Sequence, residues 1–145
     1  MKVLVVYDTL YGNTEKIARS IAGAVKGEVK ILRASEAGPA DLTGVDLLFV
    51  GSPTQGARAT KPVQEFLDKI PAGGLRNVRV APFDTRMKTI FFKPFGYAAG
   101  SIEKAVSGKG STLITSGLFI VKGGKGPLAD GEEARAAEWA RGIAG

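Results

Sequence analysis

Residues 9–14, Thr-Leu-Tyr-Gly-Asn-Thr, set two threonine hydroxyls, a tyrosine, an asparagine amide and a glycine between an apolar run and a helical pattern. The chemistry such a set suits is the holding of a phosphate monoester. Unpaired N–H groups at a helix start, and the positive end of the helix dipole, stabilise an anion. Thr9 and Thr14 add hydroxyls, Asn13 adds an amide, and Gly12 lets backbone come close. The loop contains no lysine or arginine, and it has neither the G-x-G-x-x-G spacing of dinucleotide sites nor the GK[ST] ending of a nucleotide P-loop. Hydroxyls and amides alone fit a terminal phosphate that is bound but never transferred. Taken singly, the same residues also allow a plainer reading, with Thr14 or Asn13 capping the helix and Thr9 in a turn.

The chain has no cysteine and no histidine. Disulfides, thiol nucleophiles and thiolate metal sites are excluded, and the usual near-neutral proton carrier and commonest metal ligand is missing. We assign no catalytic side chain and no metal ligand, and expect any chemistry to be borrowed from a cofactor. Twenty Lys and Arg against fourteen Asp and Glu give a net charge of +6, which favours anionic ligands or acidic partners. The basic residues are scattered and form no nucleic-acid motif. A length of 145 residues, 44% of them hydrophobic, fits one domain over 1–145. Asp8 interrupts the first apolar run, so neither a signal segment nor a membrane span is expected, and the expected location is cytoplasmic.

The elements that must position the loop follow from hydrophobic spacing. Residues 2–7, KVLVVY, read as a strand buried on both faces. Ile17, Ile21 and Val25 mark a helix that Gly27 can stop, and EVKILRA reads as an edge strand. VDLLFV, 45–50, is a second buried strand and runs into GSPTQGARAT. Thr60 as N-cap, with Pro62 in the first turn, opens a helix carrying Val63, Phe66, Leu67 and Ile70. VRVAPF, 78–83, is a further strand, followed by the aromatic loop DTRMKTIFFKPFGYAAG and a helix with Ile102, Ala105 and Val106. STLITSGLFIV is the last strand. Asp130 and Glu133 have capping-box spacing ahead of a helix with Ala136, Trp139, Ala140 and Ile143. Strands alternating with helices give a doubly wound parallel α/β sheet with helices on both faces. Loops 8–14, 51–60 and 84–97 each follow a strand, so all three lie on the carboxyl edge, where such folds bind ligands.

The segment LVVYDTLYGNTEKIARSI resembles the flavodoxin signature: an aromatic residue ending the strand, a hydroxyl residue, a short gap, Gly12, Thr14, then Ala18 and Ile21 on the helix. The resemblance continues through VGSPTQG, PFDTR and GPLADGEEARAAEWA and covers nearly the whole chain. It implies a five-stranded flavodoxin-like sheet in the order 2-1-3-4-5 and FMN as the cofactor. Thr9, Leu10, Tyr11, Gly12, Asn13 and Thr14 would hold its phosphate. A bound flavin would then carry the redox chemistry itself.

By the same resemblance, Pro53, Thr54, Gln55 and Gly56 border the reactive edge of the ring, with the Gly56 carbonyl able to accept a hydrogen bond from the protonated N5 of the half-reduced flavin. Gln55 stands where a bulky residue is usual, and Arg58 lies near a position that is often acidic. A cation there would favour the anionic reduced flavin and make the second reduction step less negative. Asp84 would be a further cofactor-binding residue, and Thr85 and Arg86 would reach the ring through backbone, with the guanidinium able to face N1 or O2. Phe91, Phe92, Phe95 and Tyr97 are the candidates for stacking, Tyr97 foremost.

The reading implied is an FMN-binding electron-transfer protein with an acidic redox partner or an anionic small molecule as its counterpart. Two others stand beside it: an FMN-dependent oxidoreductase acting on NAD(P)H, a quinone or a porphyrinogen, and a flavin-free interaction module. A phosphoacceptor receiver domain shares the strand order but needs paired acidic residues where this chain has only Asp8, and an aspartate where it has Gly51 and Ser52.

Overall fold

The computed structural model describes residues 1–55, 58–88 and 97–144. In chain order the elements are β1 (Lys2–Tyr7), α1 (Asn13–Ala24), β2 (Glu28–Arg33), β3 (Leu47–Pro53), α2 (Lys61–Asp68), β4 (Arg79–Met87), α3 (Ala98–Val106), β5 (Thr112–Leu113), β6 (Gly117–Val121) and α4 (Glu132–Ala144). The strands pair in parallel in the order β2-β1-β3-β4-β5, with β6 also on β4. This is the expected order, with the fifth position shared by two segments.

Period-two alternation explains the two cores. Leu4 and Val6 of β1, with Leu48 and Val50 of β3, face a cluster that holds Val63, Phe66 and Leu67 of α2 and Ile102 of α3. Val3 and Val5, with Leu47 and Phe49, face the cluster of Ile17 and Ile21 on α1 and Ala136 and Ala140 on α4. Each central strand is thus apolar on both sides, which is why these runs lack polar interruption. Trp139 packs edge-on against Phe49, Phe83 and Phe119, at ring-centroid distances of 5.6, 6.4 and 5.8 Å. Glycine makes room for this cluster, because a Cβ at Gly117 would lie 2.9 Å from the Trp139 ring.

The last strand is divided where we expected one run from 111 to 121. Val80 faces Leu113 and Phe83 faces Gly117, so three steps along β4 correspond to four along the edge. The cause is Pro82. Ile114 donates to the Val80 carbonyl at 2.8 Å, and Pro82, next on that side of β4, has no N–H to return. The ladder breaks there and resumes one residue out of step, as at a bulge.

β4 also runs on to Met87, so Asp84, Thr85 and Arg86, expected in a loop, are strand residues paired with β6. The alternation that buries Phe83 on the α1/α4 face sends Thr85 the same way and turns Asp84 and Arg86 toward α2 and α3. The expected capping box at Asp130 and Glu133 is not formed. α4 starts at Glu132, Arg135 donates to the Gly131 carbonyl at 2.9 Å, and exposed Asp130 pairs with Lys122 at 3.4 Å. Glu132, one position earlier than expected, turns inward instead. Thr60 occupies the N-cap position of α2, but its hydroxyl makes no capping bond and is buried without a partner among the described residues.

Candidate functional site

A cavity of about 480 Å³ opens over the carboxyl ends of β1, β3 and β4. Thr9, Leu10, Tyr11, Asn13 and Thr14 line it from the first loop, Pro53, Thr54 and Gln55 from the second, and Thr85, Arg86 and Tyr97 from the third. Eleven of the fourteen residues proposed from the sequence therefore meet around one space. Gly12 does not line it, Asp84 is buried behind the wall, and Gly56 lies outside the described residues, as do Phe91, Phe92 and Phe95.

The first loop is shaped by Gly12, whose φ of +89° is a left-handed conformation that a side chain would strain. Its N–H donates to Thr9 Oγ1 at 2.9 Å, and α1 begins without a side-chain cap. Neither Thr14 nor Asn13 therefore plays the capping role that the loop read alone allowed. Instead Thr14 Oγ1 meets Thr85 Oγ1 at 2.8 Å, and Asn13 Nδ2 donates to the Lys125 carbonyl at 3.2 Å. Arg33 Nη2 donates to the Thr9 carbonyl at 2.7 Å while its Nε lies 3.5 Å from Asp8, so the loop is steadied from β2 by a cation that is already paired.

The second loop is tied on both sides. Thr54 N–H donates to the Thr85 carbonyl at 3.0 Å, and Thr54 Oγ1 accepts from Ala98 N–H at 3.2 Å. Gln55 and Arg58 exchange both backbone bonds, at 2.8 and 3.0 Å. Gln55 and Arg58 are exposed, and only Gln55 borders the cavity.

On the opposite wall Asp84 is fully buried. Its oxygens accept from Arg86 Nε at 2.9 Å and Nη2 at 2.6 Å, and Oδ2 also accepts from Ala99 N–H at 2.9 Å. The Arg86 guanidinium carbon sits 3.4 Å from the centroid of the Tyr97 ring. Burial pushes the Asp84 carboxyl above its ordinary value, opposed by Arg86 and by the Ala99 N–H.

The sequence reading missed Met87, Val121 and Gly124, which complete the lining. Val121 and Gly124 belong to the end of β6 and the turn after it, and the carboxyl-edge rule that selected the other loops would have selected this one. The turn leans on the first loop, because a Cβ at Gly126 would lie 2.6 Å from the Asn13 amide. Leu10, Tyr11 and Met87 leave apolar surface exposed at the mouth, where Lys125 Nζ lies 5.8 Å from the Tyr11 ring. No described helix is long and apolar enough to cross a membrane.

Comparison with known proteins bears on this arrangement. The family model described as Flavodoxin matches residues 5–139. A flavodoxin of Aquifex aeolicus (strain VF5) is 37% identical over 73 residues, a stretch spanning 48% of this chain and only 40% of that protein's length. A flavodoxin from the domain Archaea superposes with a TM-score of 0.79 at 20% identity, covering 99% of this chain and 96% of that one. The Streptococcus pneumonia TIGR4 flavodoxin gives a TM-score of 0.80 at 15% identity, covering 99% and 98%. At these identities the two structures speak for the fold.

Proposed function

This chain belongs to the flavodoxin family, and from that membership we propose that it acts as a single domain over 1–145 that binds FMN in the cavity over β1, β3 and β4 and carries electrons through it. FMN is the cofactor of flavodoxins, which pass electrons to redox partners. When bound, the flavin would supply the electron chemistry; a chain without histidine or cysteine has to hold it, orient it and limit its contact with water.

The observation that carries the reading is the convergence of three strand-end loops on one space of about 480 Å³, a volume suited to a cofactor-sized ligand. The donors present fit the group. α1 starts without a side-chain cap, next to Thr9, Asn13 and Thr14, and suits a phosphate with no lysine or arginine in the loop. The flat pair of Arg86 and Tyr97 suits a planar ring, and Leu10, Tyr11 and Met87 suit its apolar edge. We accordingly assign Thr9 to Thr14 to the phosphate, and Pro53 to Gly56 with Thr85, Arg86 and Tyr97 to the ring. Asp84 acts from behind the wall.

The partner side of the proposal rests on charge. Arg58, Lys88 and Lys125 are exposed, and each adjoins a stretch that lines the cavity. With a net charge of +6, such a mouth favours an acidic redox protein or an anionic small molecule, with association that weakens as salt rises. The visible absorption spectrum of the purified protein tests the reading. Flavin bands, or their appearance with quenching of fluorescence when FMN is added, are expected. A colourless protein that takes up no FMN would favour a flavin-free interaction module. Steady-state oxidation of NAD(P)H by the loaded protein would make it an oxidoreductase rather than a carrier.

A further inference from the structure

Arg86 and Tyr97 form one wall of the cavity, and a buried carboxylate, Asp84, holds the Arg86 side of it. Along β4 the side chains of Asp84 and Arg86 leave the same face of the sheet. The forked pairing, at 2.9 and 2.6 Å, fixes the plane of the guanidinium, and its carbon lies over the Tyr97 ring, 3.4 Å from the centroid. The same carboxylate accepts the Ala99 N–H at 2.9 Å, near the start of α3, so it anchors the chain both before and after residues 88–96. Only 14% of the Arg86 side chain is exposed, a place where an unpaired cation would be poorly solvated.

The charge of that wall depends on the pair. A lone arginine would attract any anionic form of a ligand, whereas one paired at hydrogen-bond distance contributes little net field beyond its carboxylate. We propose that Asp84 is a positioning residue that holds Arg86 flat against Tyr97 and cancels its charge, so that the cavity offers the flavin a planar, net-neutral wall. This rests on the FMN reading above and adds to the expectation that the Arg86 guanidinium can face N1 or O2 the carboxylate that offsets its charge.

The test is potentiometric titration of the FMN-loaded wild type, Asp84→Asn and Asp84→Asn/Arg86→Gln. Asp84→Asn leaves the arginine uncompensated and should favour the anionic reduced flavin by about tenfold, ~59 mV upward in the second one-electron step. The double variant is again neutral and should return to within about threefold of wild type. A role in fold stability alone would not produce this pattern. The inference is overturned if Asp84→Asn leaves the potential unchanged, or if the double variant falls by about tenfold or more, the signature of losing an uncompensated cation. Should Asp84→Asn fail to fold, the double variant alone decides. Loss of FMN from the double variant alone, with the wild type and Asp84→Asn loaded, would also count against it, since the doubly substituted wall is neutral again. A wild type that takes up no FMN would instead remove the functional reading, a distinct result.

Discussion

The hydroxyls of Thr14 and Thr85 lie 2.8 Å apart in a buried contact between residues 71 positions apart in the chain. One belongs to the first turn of α1 and the other to the far end of β4, so the bond locks together two of the three loops around the cavity.

Replacing one partner should cost more than replacing both. Thr14→Val leaves the Thr85 hydroxyl buried and unpaired, and a loss of about 1–3 kcal/mol in apoprotein stability is expected, together with weaker FMN binding. Thr14→Val/Thr85→Val should recover much of the stability but not the affinity. Urea unfolding and FMN titration of these two variants and of Thr85→Val check this; simple additivity in stability would show that the hydroxyls do not interact.

Gly117 is required by a ring rather than by a turn. A methyl group there meets both Trp139 and Phe119 at 2.9 Å, and Gly117→Ala should destabilise by about 1–3 kcal/mol through overpacking. Near-ultraviolet circular dichroism should report a disturbed Trp139. An unchanged spectrum with unchanged stability would place the tryptophan elsewhere.

Glu132 closes the outer edge of β6. Its carboxylate accepts Ile120 N–H at 2.6 Å, while Arg135 bonds both that carboxylate and the Leu118 carbonyl. Arg135 first, then the Ile120 N–H, hold the Glu132 carboxyl below its ordinary value against the opposing effect of burial. A depressed carboxylate value means stability that is present above the unfolded-state titration and lost as pH falls through the folded one. Glu132→Gln should therefore be less stable than wild type at neutral pH, with the gap narrowing in acid. Unfolding measured across pH checks it, and a gap independent of pH would contradict it.

Arg58 is exposed and does not border the cavity, so its influence on a bound flavin is screened. Arg58→Ala should lower the second reduction step slightly, an effect that shrinks as salt is raised. No change at low salt would remove Arg58 from any account of the potential.

The parts legible from sequence were those governed by one local rule. Apolar runs buried on both faces located β1 and β3, four-residue spacing located α1, and the carboxyl-edge rule gathered residues 9–11, 13–14, 53–55 and 85–86 at one opening. What escaped depended on partners distant in the chain. The division of the last strand follows from a missing N–H on Pro82 of a neighbouring strand. Glu132, not Glu133, turned out to be the acidic residue with a task, because the bonds that recruit it come from β6. Asp84 was expected among the loop residues that touch the cofactor, yet alternation within an extended β4 buries its side chain against α3.

The central claim, that residues 9–14 grip a phosphate, is tested most directly by titrating the apoprotein with FMN and with riboflavin and following flavin fluorescence. Two charge-assisted hydrogen bonds to the phosphate would make FMN bind more tightly by about a hundredfold or more. Equal affinities for the two flavins would contradict it.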